Sequence, residues 1–295
     1  MRVLVTGAGG FIGRHIVEYL RSDEQFSVVA NCRAGSPVFN ITSSYRNDRP
    51  VWNKFPVEVA VCNLLNPEWL PGPFDAVVHC AAAAGPWHSD VAIARDNLSA
   101  TANLVREAEI WGAKFIFLSS ISVHGDPIGI VNEFTLTDPL SFYAKSKLAS
   151  EGVLEISSMP SITLRLPGVI GPGANSHNWL VNVAQKIKAG ETIRAFNLDA
   201  QFNNAVHVHD LSAFVAKLLK HKIVGHDVVV LGARSSIRVE SAIVRLADNL
   251  GLKTKIEKIG ATRPSFVINS LKAMNNYGYD PMNIKDMLDR YATEI

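Results

Sequence analysis

Tyr143 and Lys147 stand four positions apart, in the order Tyr-x-x-x-Lys, within a segment of helical periodicity. Residues at this spacing lie one turn apart on the same face of a helix. A lysine ammonium about 4 Å from a phenol lowers the phenol pKa by roughly three units at an effective dielectric of about 20. We therefore expect Tyr143 to act as an acid and base near neutral pH, with Lys147 as its electrostatic tuner.

Three glycines near the start of the sequence, Gly7, Gly10 and Gly13, follow an apolar run and open a helical segment. At such a turn the missing Cβ atoms let backbone N–H groups approach a pyrophosphate, and the helix N-terminus supplies positive potential. The turn, with Phe11 and Ile12 between its last two glycines, therefore predicts a dinucleotide site.

The end of the second apolar run bears on which dinucleotide is preferred. It reads Ala30-Asn31-Cys32-Arg33, without the carboxylate that binds a ribose 2′-hydroxyl and repels a 2′-phosphate. Arg33 instead offers a fork of donors that suits a phosphate, so the sequence favours NADP(H). NAD stays possible, because Asn31 could serve a ribose hydroxyl.

Short apolar runs alternate with segments of helical periodicity. The runs predict strands at residues 3–5, 28–30, 57–61, 76–79, 115–118 and 162–166. The clearest predicted helices cover residues 12–21, 96–111, 141–157, 211–220 and 239–249. This alternation predicts an α/β fold, a doubly wound parallel Rossmann sheet with a smaller C-terminal substrate lobe. We expect residues 1–167 to form the dinucleotide-binding domain and residues 168–295 mainly the lobe, from which strands could rejoin the first sheet.

The composition is that of a globular protein with a small-molecule substrate. Of the 295 residues 47% are apolar and 19% charged, and the net charge of +2 is spread without runs. We therefore expect binding neither to nucleic acid nor to a membrane surface. The first predicted strand leaves no room for a signal peptide, and no apolar run approaches the roughly 18 residues of a membrane span, so the cytoplasm is expected.

Metal and disulfide sites are not expected. Cys32, Cys62 and Cys80 are widely spaced and odd in number, which indicates reduced, buried thiols. His207 and His209 form a His-x-His pair without a third ligand nearby in the sequence.

Several motifs resemble one known family. Residues 115–125 resemble a strand that ends in Ser-Ser/Thr-x-x-Val-Tyr-Gly in the extended short-chain dehydrogenases/reductases, the NAD(P)-dependent epimerases and dehydratases of nucleotide sugars. The glycine spacing and the Tyr-x-x-x-Lys pair resemble the same family, and the resemblance covers nearly the whole chain. It implies a catalytic Ser120 that donates to the substrate oxygen, with Tyr143 as acid and base and Lys147 as an anchor of the cofactor ribose.

The resemblance also implies further cofactor contacts, from a His-x-Ala-Ala turn, an Asn-Leu pair and an asparagine that braces the active-site sheet. These residues are Asn63, Leu64, Ala81, Ala82 and Asn97, and Pro167 is expected to contact the cofactor as well.

Substrate contacts are implied at His124, in place of the tyrosine of Val-Tyr-Gly, at Asn178 and at Arg263. Two positions depart from the family. Asn203 stands where a basic residue usually grips the substrate diphosphate, and Gly168 stands where an asparagine commonly touches substrate. A sugar nucleotide or a similar polar ketone is the expected substrate.

The sequence is compatible with three functions. The first is an NADPH-dependent ketoreductase, and the alternative is a nucleotide-sugar 4-epimerase with tightly bound NAD. The third is a protein that senses NADP(H) without turnover, which retention of Ser120, Tyr143 and Lys147 disfavours. Ile121 and Ser122 replace the Asp-Glu pair of 4,6-dehydratases, which argues against water elimination. We expect a homodimer, formed through the helices at 96–111 and 141–157.

Overall fold

The computed structural model describes residues 1–34, 57–85, 88–174, 178–261 and 263–295, with only the backbone at residue 69. The chain forms two compact units. Unit 1 comprises Met1–Val123, Pro139–Leu164 and Ser212–Val228, and unit 2 comprises His124–Asp138, Arg165–Leu211 and Val229–Ile295. The domain limits expected at residue 167 stay a prediction, because compactness alone does not show which part binds substrate.

Short strands alternate with helices along the described ranges. The strands are β1 (Arg2–Thr6), β2 (Ser27–Cys32), β3 (Glu58–Val61), β4 (Ala76–His79), β5 (Lys114–Ser120), β6 (Gly129–Val131), β7 (Ser161–Leu166), β8 (Gly168–Ile170), β9 (Ile193–Ala195), β10 (Gln201–Phe202), β11 (Ala205–His207), β12 (His226–Val230), β13 (Ile237–Arg238), β14 (Ile256–Lys258) and β15 (Phe266–Ile268). The α-helices are α1 (Phe11–Leu20), α2 (Asp90–Trp111), α3 (Phe142–Glu155), α4 (Trp179–Lys188), α5 (Val208–Lys220), α6 (Val239–Asn249), α7 (Leu271–Tyr277) and α8 (Ile284–Glu294).

Seven strands form one large parallel sheet in the order β12-β7-β5-β4-β1-β2-β3, which confirms the predicted Rossmann-like α/β class. From β1 the chain proceeds to β2 and β3 on one side, and then to β4 and β5 on the other. In sheets of this kind the point of reversal opens a crevice at the carboxyl ends of the strands. Thr6 and His79 face each other across the ends of β1 and β4 at this point.

One face of the sheet packs against α2. Val77, Phe115 and Phe117 share a buried cluster with Leu104 and Val105 of this helix. The strands are continuously apolar, as expected for a parallel sheet with helices on both faces. Burial of each such side chain contributes roughly 1.5–3 kcal/mol, so the core fixes the strand ends that carry the site.

All six strands predicted from apolar runs are present, as β1 to β5 and β7, and the five predicted helices are α1, α2, α3, α5 and α6. The predicted start of α2 at residue 96 is wrong. The helix begins at Asp90, because the Ser89 hydroxyl accepts a hydrogen bond from Ala92 N at 3.2 Å and caps it. The helix ends at Gly112, whose φ of 66° lies in the left-handed region.

Lys114, the first residue of β5, caps the end of α5. Its Nζ donates to the carbonyl oxygens of Leu218, Leu219 and His221 at 3.2, 2.9 and 2.5 Å. These carbonyls lie at the C-terminal end of α5, where the ammonium complements the negative end of the helix dipole. The contact joins β5, which carries the site, to a distant helix of unit 1.

Unit 2 contains four two-stranded pairs. Three are parallel, β8 with β11, β9 with β14 and β6 with β15, and β10 pairs with β13 in the antiparallel sense. Its core lies among α4, α6 and α8, with Ile187, Leu246 and Leu288 buried together. Within the described ranges of the whole chain, no helix combines the length and apolar character needed to cross a membrane.

Candidate functional site

The glycine turn lies tightly against the loop after β4. Gly7 has a φ of +64°, and a Cβ built there would lie 2.7 Å from the Ala81 Cα. A Cβ on Gly13 would overlap the carbonyl oxygen of Gly7. Gly10 N donates to that oxygen at 2.9 Å. The absence of Cβ atoms thus permits both the turn and the close approach of α1 to β1.

A cavity of about 510 Å³ opens at the crevice where the strand order reverses. It is lined by the glycine turn, residues 31–33 at the end of β2, residues 62–65 after β3, residues 80–83 after β4, and one face of α2. Small-molecule sites usually measure roughly 300–1,000 Å³. The cavity and the α1 N-terminus beside it fit a dinucleotide.

Most of the predicted cofactor residues line this cavity. They are Gly7, Gly10, Arg33, Asn63, Leu64, Ala81, Ala82 and Asn97. Phe11, Ile12 and Gly13 form the first turn of α1. Pro167 is buried in unit 2, in the turn between β7 and β8, and is not among the described lining residues. The role of each of these residues in cofactor binding stays a prediction.

Asn31 and Arg33 differ in what they can offer at the end of β2. Asn31 is buried, and its Nδ2 donates to the carbonyl oxygens of Ala60 and Cys62 at 3.1 and 3.2 Å. Its donor group is therefore committed to holding β2 against β3. Arg33 is exposed at the cavity, so it is the cation that this strand end presents to a bound nucleotide.

A buried network of hydrogen bonds links the glycine turn to α2. Thr101 donates its hydroxyl proton to Asn97 O at 2.8 Å, so His79 Nε2 donates to Thr101 Oγ1 at 3.1 Å. His79 Nδ1 then accepts from Thr6 Oγ1 at 2.7 Å. The ring is 1% exposed and neutral, because burial lowers the pKa of His79 to about 3, and the charge of Lys147 acts in the same direction.

Asn97 connects three parts of the site. Its Oδ1 accepts from Ala83 N at 2.6 Å, and its Nδ2 donates to Ala83 O and to Ser146 Oγ, both at 3.0 Å. Ser146 in turn donates to Tyr143 O at 2.8 Å. The predicted bracing asparagine therefore fixes the cavity wall and the helix of Tyr143 relative to α2.

Lys147 is buried at 3% exposure against the end of β5. Its Nζ donates to Leu118 O at 2.7 Å and lies 4.7 Å from the centroid of the Phe117 ring. The same nitrogen lies 5.8 Å from the centroid of the Tyr143 ring, one turn away on α3. The amine is thus held in place by the backbone of β5 and by two aromatic rings.

The expected lowering of the Tyr143 pKa is wrong for this structure. Burial raises the pKa of Tyr143 to about 12, and Lys147 is engaged with Leu118 instead of the phenol oxygen. Burial also lowers the pKa of the Lys147 amine to about 8, while Cys80 and Glu151 act in the opposite direction. The tyrosine is therefore protonated at neutral pH and the lysine is largely charged.

Ser120 is the last residue of β5, two residues beyond the carbonyl that holds Lys147. Its Oγ lies 2.8 Å from Ser122 Oγ and accepts from Ser122 N at 3.2 Å. With Ser122 donating, the Ser120 proton is left for a substrate oxygen. The structure thus places a hydroxyl donor, a phenol and an ammonium on two packed elements of unit 1.

The chain matches a known protein family over most of its length. Residues 3–232 match the NAD dependent epimerase/dehydratase family. The chain belongs to this family. It is therefore an NAD(P)-dependent enzyme of the short-chain dehydrogenase/reductase type, which confirms the prediction from the motifs.

The chain is also similar to individual known proteins. The chain is 27% identical to a Bacillus subtilis (strain 168) protein named as an uncharacterized UDP-glucose epimerase, YtcB, over 98% of this chain and 96% of that protein. It is 26% identical to methionine adenosyltransferase 2 subunit beta of Rattus norvegicus, over 75% of this chain and 63% of that protein. UDP-glucuronic acid 4-epimerase from Bacillus cereus, solved with UDP-glucuronic acid and NAD, shares the fold with a TM-score of 0.83 at 24% identity, over 100% of this chain and 98% of that chain.

The three residues predicted to touch substrate all belong to unit 2. His124 is buried, its Nδ1 lies 3.0 Å from Leu136 O, and its Nε2 lies 3.3 Å from Arg165 Nη1. Because arginine can only donate, Nε2 accepts and Nδ1 carries the proton. Arg263 is 70% exposed, 3.8 Å from the Asp126 carboxylate. Their roles toward substrate stay predictions.

Asn178 and Gly168 fit together within unit 2. Asn178 caps α4, with its Oδ1 accepting from Leu180 N at 2.9 Å, and its Nδ2 donates to Val169 O at 3.0 Å. A Cβ on residue 168 would lie 2.6 Å from that Nδ2. The amide of Asn178 therefore occupies the space that the asparagine of other family members would need at position 168.

Asn203 stands at the position where the family usually has a basic residue, and its side chain is hydrogen-bonded to the backbone of unit 2. Its Nδ2 donates to Ala233 O and Ile268 O at 3.2 and 2.8 Å, and its Oδ1 accepts from Ile268 N at 2.8 Å. Asn203 is only 5% exposed, and both groups of its side-chain amide form hydrogen bonds with the backbone of unit 2. A diphosphate would have to be held by other residues.

The His-x-His pair has a structural explanation. His207 is buried, its Nε2 lies 2.8 Å from Glu294 Oε2, and its Nδ1 accepts from His209 N at 3.2 Å. Both ring nitrogens thus hold α8 and the start of α5 in place. Among the described residues, no group of three acidic, histidine or cysteine side chains could hold a metal ion.

Sequence reasoning missed two features of the site. Cys32, Cys62 and Cys80 all line the cavity, and Cys80 is partly exposed there. Glu151, one turn beyond Lys147, is buried and accepts from Ser119 Oγ at 2.5 Å. Glu151 could have been predicted from its position four residues after Lys147, because a buried helix face rarely carries a carboxylate without a partner.

Proposed function

We propose that this enzyme is a nucleotide-sugar 4-epimerase that keeps NAD bound through its reaction. The observation that carries the proposal is the placement of Tyr143 and Lys147 on α3 against the end of β5, in the unit that forms the cavity. The name of YtcB and the ligands of the Bacillus cereus structure support it. These two similarities favour the epimerase over the ketoreductase, which was the first prediction from the sequence.

The residues of this chain divide the work on the substrate oxygen. Tyr143, protonated at neutral pH, gives a proton to a carbonyl oxygen, and Ser120 donates a hydrogen bond to the same atom. Removing a proton from a hydroxyl requires the phenolate. Burial keeps Tyr143 protonated, so its ionisation would require the positive charges of Lys147 and of an oxidised nicotinamide. When bound, the dinucleotide supplies the acceptor and donor of the hydride.

Epimerisation fits a site that retains its cofactor. The carbinol carbon is oxidised to a ketone, and the ketone is reduced from its opposite face. The hydride removed in the first half would be returned in the second, so no net oxidant is consumed. The Tyr143 phenolate would take the hydroxyl proton in the first half, and the resulting phenol would return it in the second. Release of the cofactor between the two halves would strand the ketone, which favours tight retention.

A second candidate is an NADPH-dependent ketoreductase, and one observation favours it. Arg33 is exposed at the cavity, and the end of β2 carries no carboxylate. A guanidinium suits a 2′-phosphate better than a bare ribose hydroxyl. The choice of cofactor therefore discriminates between the two functions.

The test begins with the purified enzyme, without added cofactor. Acid-released nucleotide is identified by mass spectrometry, and the enzyme is incubated with UDP-glucose and with UDP-glucuronic acid. The proposal expects NAD in near-stoichiometric amount and a mixture of 4-epimers by NMR. Tyr143→Phe should retain the nucleotide and slow turnover by roughly 10²–10⁴-fold, whereas Tyr19→Phe on α1 should not.

An enzyme that carries no nucleotide and consumes NADPH with a keto sugar would overturn the epimerase and support the reductase. Normal turnover by Tyr143→Phe would remove the catalytic assignment altogether. The homodimer and the cytoplasmic location stay predictions, the first to be tested by light scattering on the same preparation.

A further inference from the structure

The end of β5 and one face of α3 meet residue by residue. Lys147 Nζ donates to Leu118 O at 2.7 Å, and Ser119 Oγ donates to Glu151 Oε1 at 2.5 Å. Tyr143, Lys147 and Glu151 follow each other at intervals of four, so they lie on one face of the helix. Glu151 is only 5% exposed. A buried carboxylate thus stands one turn beyond the buried ammonium.

We propose that Glu151 is a positioning residue for the acid and base chemistry, whose carboxylate keeps the Lys147 amine charged beside Tyr143. A lone ammonium in a dry environment tends to lose its proton, and an opposite charge nearby offsets that tendency. Ser119 holds the carboxylate in place. The role in turnover rests on the proposed function, whereas the electrostatic effect on Lys147 does not.

The other groups that face Lys147 do not supply a negative charge at neutral pH. His79, from β4, is neutral, because burial lowers its pKa to about 3. Cys80, after β4, would raise the pKa of Lys147 only as a thiolate, and burial raises the pKa of Cys80 to about 12, so it is an uncharged thiol at neutral pH. Tyr143 is protonated, and Phe117 offers only a ring face. Among the described groups that act on Lys147, Glu151 is therefore the acidic one.

The first experiment measures the Lys147 amine directly, by NMR titration of its ε-methylene in the wild type and in Glu151→Gln. Glutamine keeps an oxygen acceptor for Ser119 but removes the charge. The proposal expects the pKa of Lys147 to fall by roughly 1–2 pH units in the variant. Glu155→Gln, the same change at an exposed position one turn further along α3, should leave it unmoved.

The second experiment is the pH dependence of turnover. If charged Lys147 is needed, the alkaline limb of kcat for Glu151→Gln should move to lower pH by the same amount, with KM nearly unchanged. Glu151→Asp, which retains the charge, should restore the wild-type profile. If no substrate is turned over by the wild type, the proposed function fails, and the titration still decides the role of Glu151.

An unchanged Lys147 pKa in folded Glu151→Gln overturns the proposal. If that variant does not fold, Glu151→Asp and the wild type remain informative. The proposal would also be overturned if the pKa of Lys147 were lower in the wild type than in Glu151→Asp by a unit or more. A wild-type Lys147 pKa below about 6 would overturn the proposal too. In either case the Glu151 carboxylate would not be keeping the Lys147 amine charged.

Discussion

Asn97 Nδ2 donates to Ser146 Oγ at 3.0 Å and joins α2 to the helix that carries Tyr143 and Lys147. The same side chain holds both backbone groups of Ala83 in the cavity wall. One amide therefore fixes the helix of Tyr143 and Lys147 and the wall of the cavity relative to each other. The proposed proton transfer and the proposed dinucleotide binding would both depend on this contact.

Asn97→Ala should weaken both functions. It leaves the N–H and C=O of Ala83 without this partner and removes one of the two hydrogen bonds of the Ser146 hydroxyl, and a buried polar group left unpaired costs about 1–3 kcal/mol. We expect the free energy of unfolding to fall by about 2–4 kcal/mol and the affinity for dinucleotide to fall at least about tenfold. Urea denaturation and fluorescence titration with NADH measure the two effects.

Arg95→Ala, two residues earlier on α2 and 69% exposed, is the matched control. It should change neither quantity appreciably, because an exposed ion pair contributes little. A stable Asn97→Ala protein with unchanged nucleotide affinity would contradict the bracing role.

The neutral His79 should make stability depend on pH. Its pKa is about 3 in the folded protein and about 6.5 when unfolded, so only the unfolded state binds the proton between these values. Stability is therefore fully present above about pH 6.5 and is lost as the pH falls, at up to about 1.4 kcal/mol per pH unit. Urea midpoints measured from pH 7 to pH 4.5 test this.

In His79→Gln, the free energy of unfolding should depend less steeply on pH, by the amount that one titrating proton contributes. His209→Gln, at a half-exposed position, should keep the pH dependence of the wild type. Because a glutamine side chain cannot reproduce both ring contacts, we also expect the His79→Gln variant to be less stable than the wild type at neutral pH. Equal slopes in the wild type and His79→Gln would show that His79 is not the group that titrates.

The elements and motifs of unit 1 were predictable because they depend on near neighbours in sequence. The glycine turn requires only that Gly7, Gly10 and Gly13 follow a strand and open a helix, and the Tyr-x-x-x-Lys pair requires only a helix. The start of α2 was misplaced because its cap, Ser89, precedes a stretch without clear helical periodicity. Local signals thus decided both the successes and the error.

The contacts that set the chemistry were not predictable in the same way. Asn203 donates to the carbonyl oxygens of Ala233 and Ile268, which lie 30 and 65 residues away in the sequence. Only the fold brings these residues together. The pKa of Tyr143 depends on burial and on the position of the Lys147 amine, neither of which the spacing determines. Residue types indicated the reaction class, whereas protonation states required three-dimensional contacts.

Gly10→Ala and Gly13→Ala should separate nucleotide binding from folding. A Cβ on Gly10 would meet only Gly7 O, at 3.2 Å, and the residue lines the cavity. We expect Gly10→Ala to lose at most about 1 kcal/mol of stability, as an alanine N-cap does, and to bind dinucleotide at least about tenfold more weakly. Gly13→Ala should lose about 1–3 kcal/mol or more, because its Cβ overlaps the Gly7 carbonyl. Thermal unfolding and NADH titration on the same preparations distinguish the two, and equal stability of both variants would contradict the geometry of the turn.

Arg33 should decide the choice between dinucleotides, because its guanidinium is exposed at the cavity where a 2′-phosphate would differ from a hydroxyl. Hydrogen bonds to a charged group contribute about 1.5–3 kcal/mol, so Arg33→Gln should weaken NADPH binding by roughly 10–100-fold. NADH binding should change far less, because it lacks the phosphate. The comparison is made by fluorescence titration at constant ionic strength.

Arg106→Gln, an exposed position on α2 with the same loss of charge, controls for a general electrostatic effect. Equal weakening of NADH and NADPH in Arg33→Gln would mean that the guanidinium does not distinguish the two. If the wild type prefers NADH, then Arg33 does not select for the phosphate. The missing acid at the end of β2 would then reflect the commitment of Asn31 to Ala60 and Cys62, which holds this strand end together without a carboxylate.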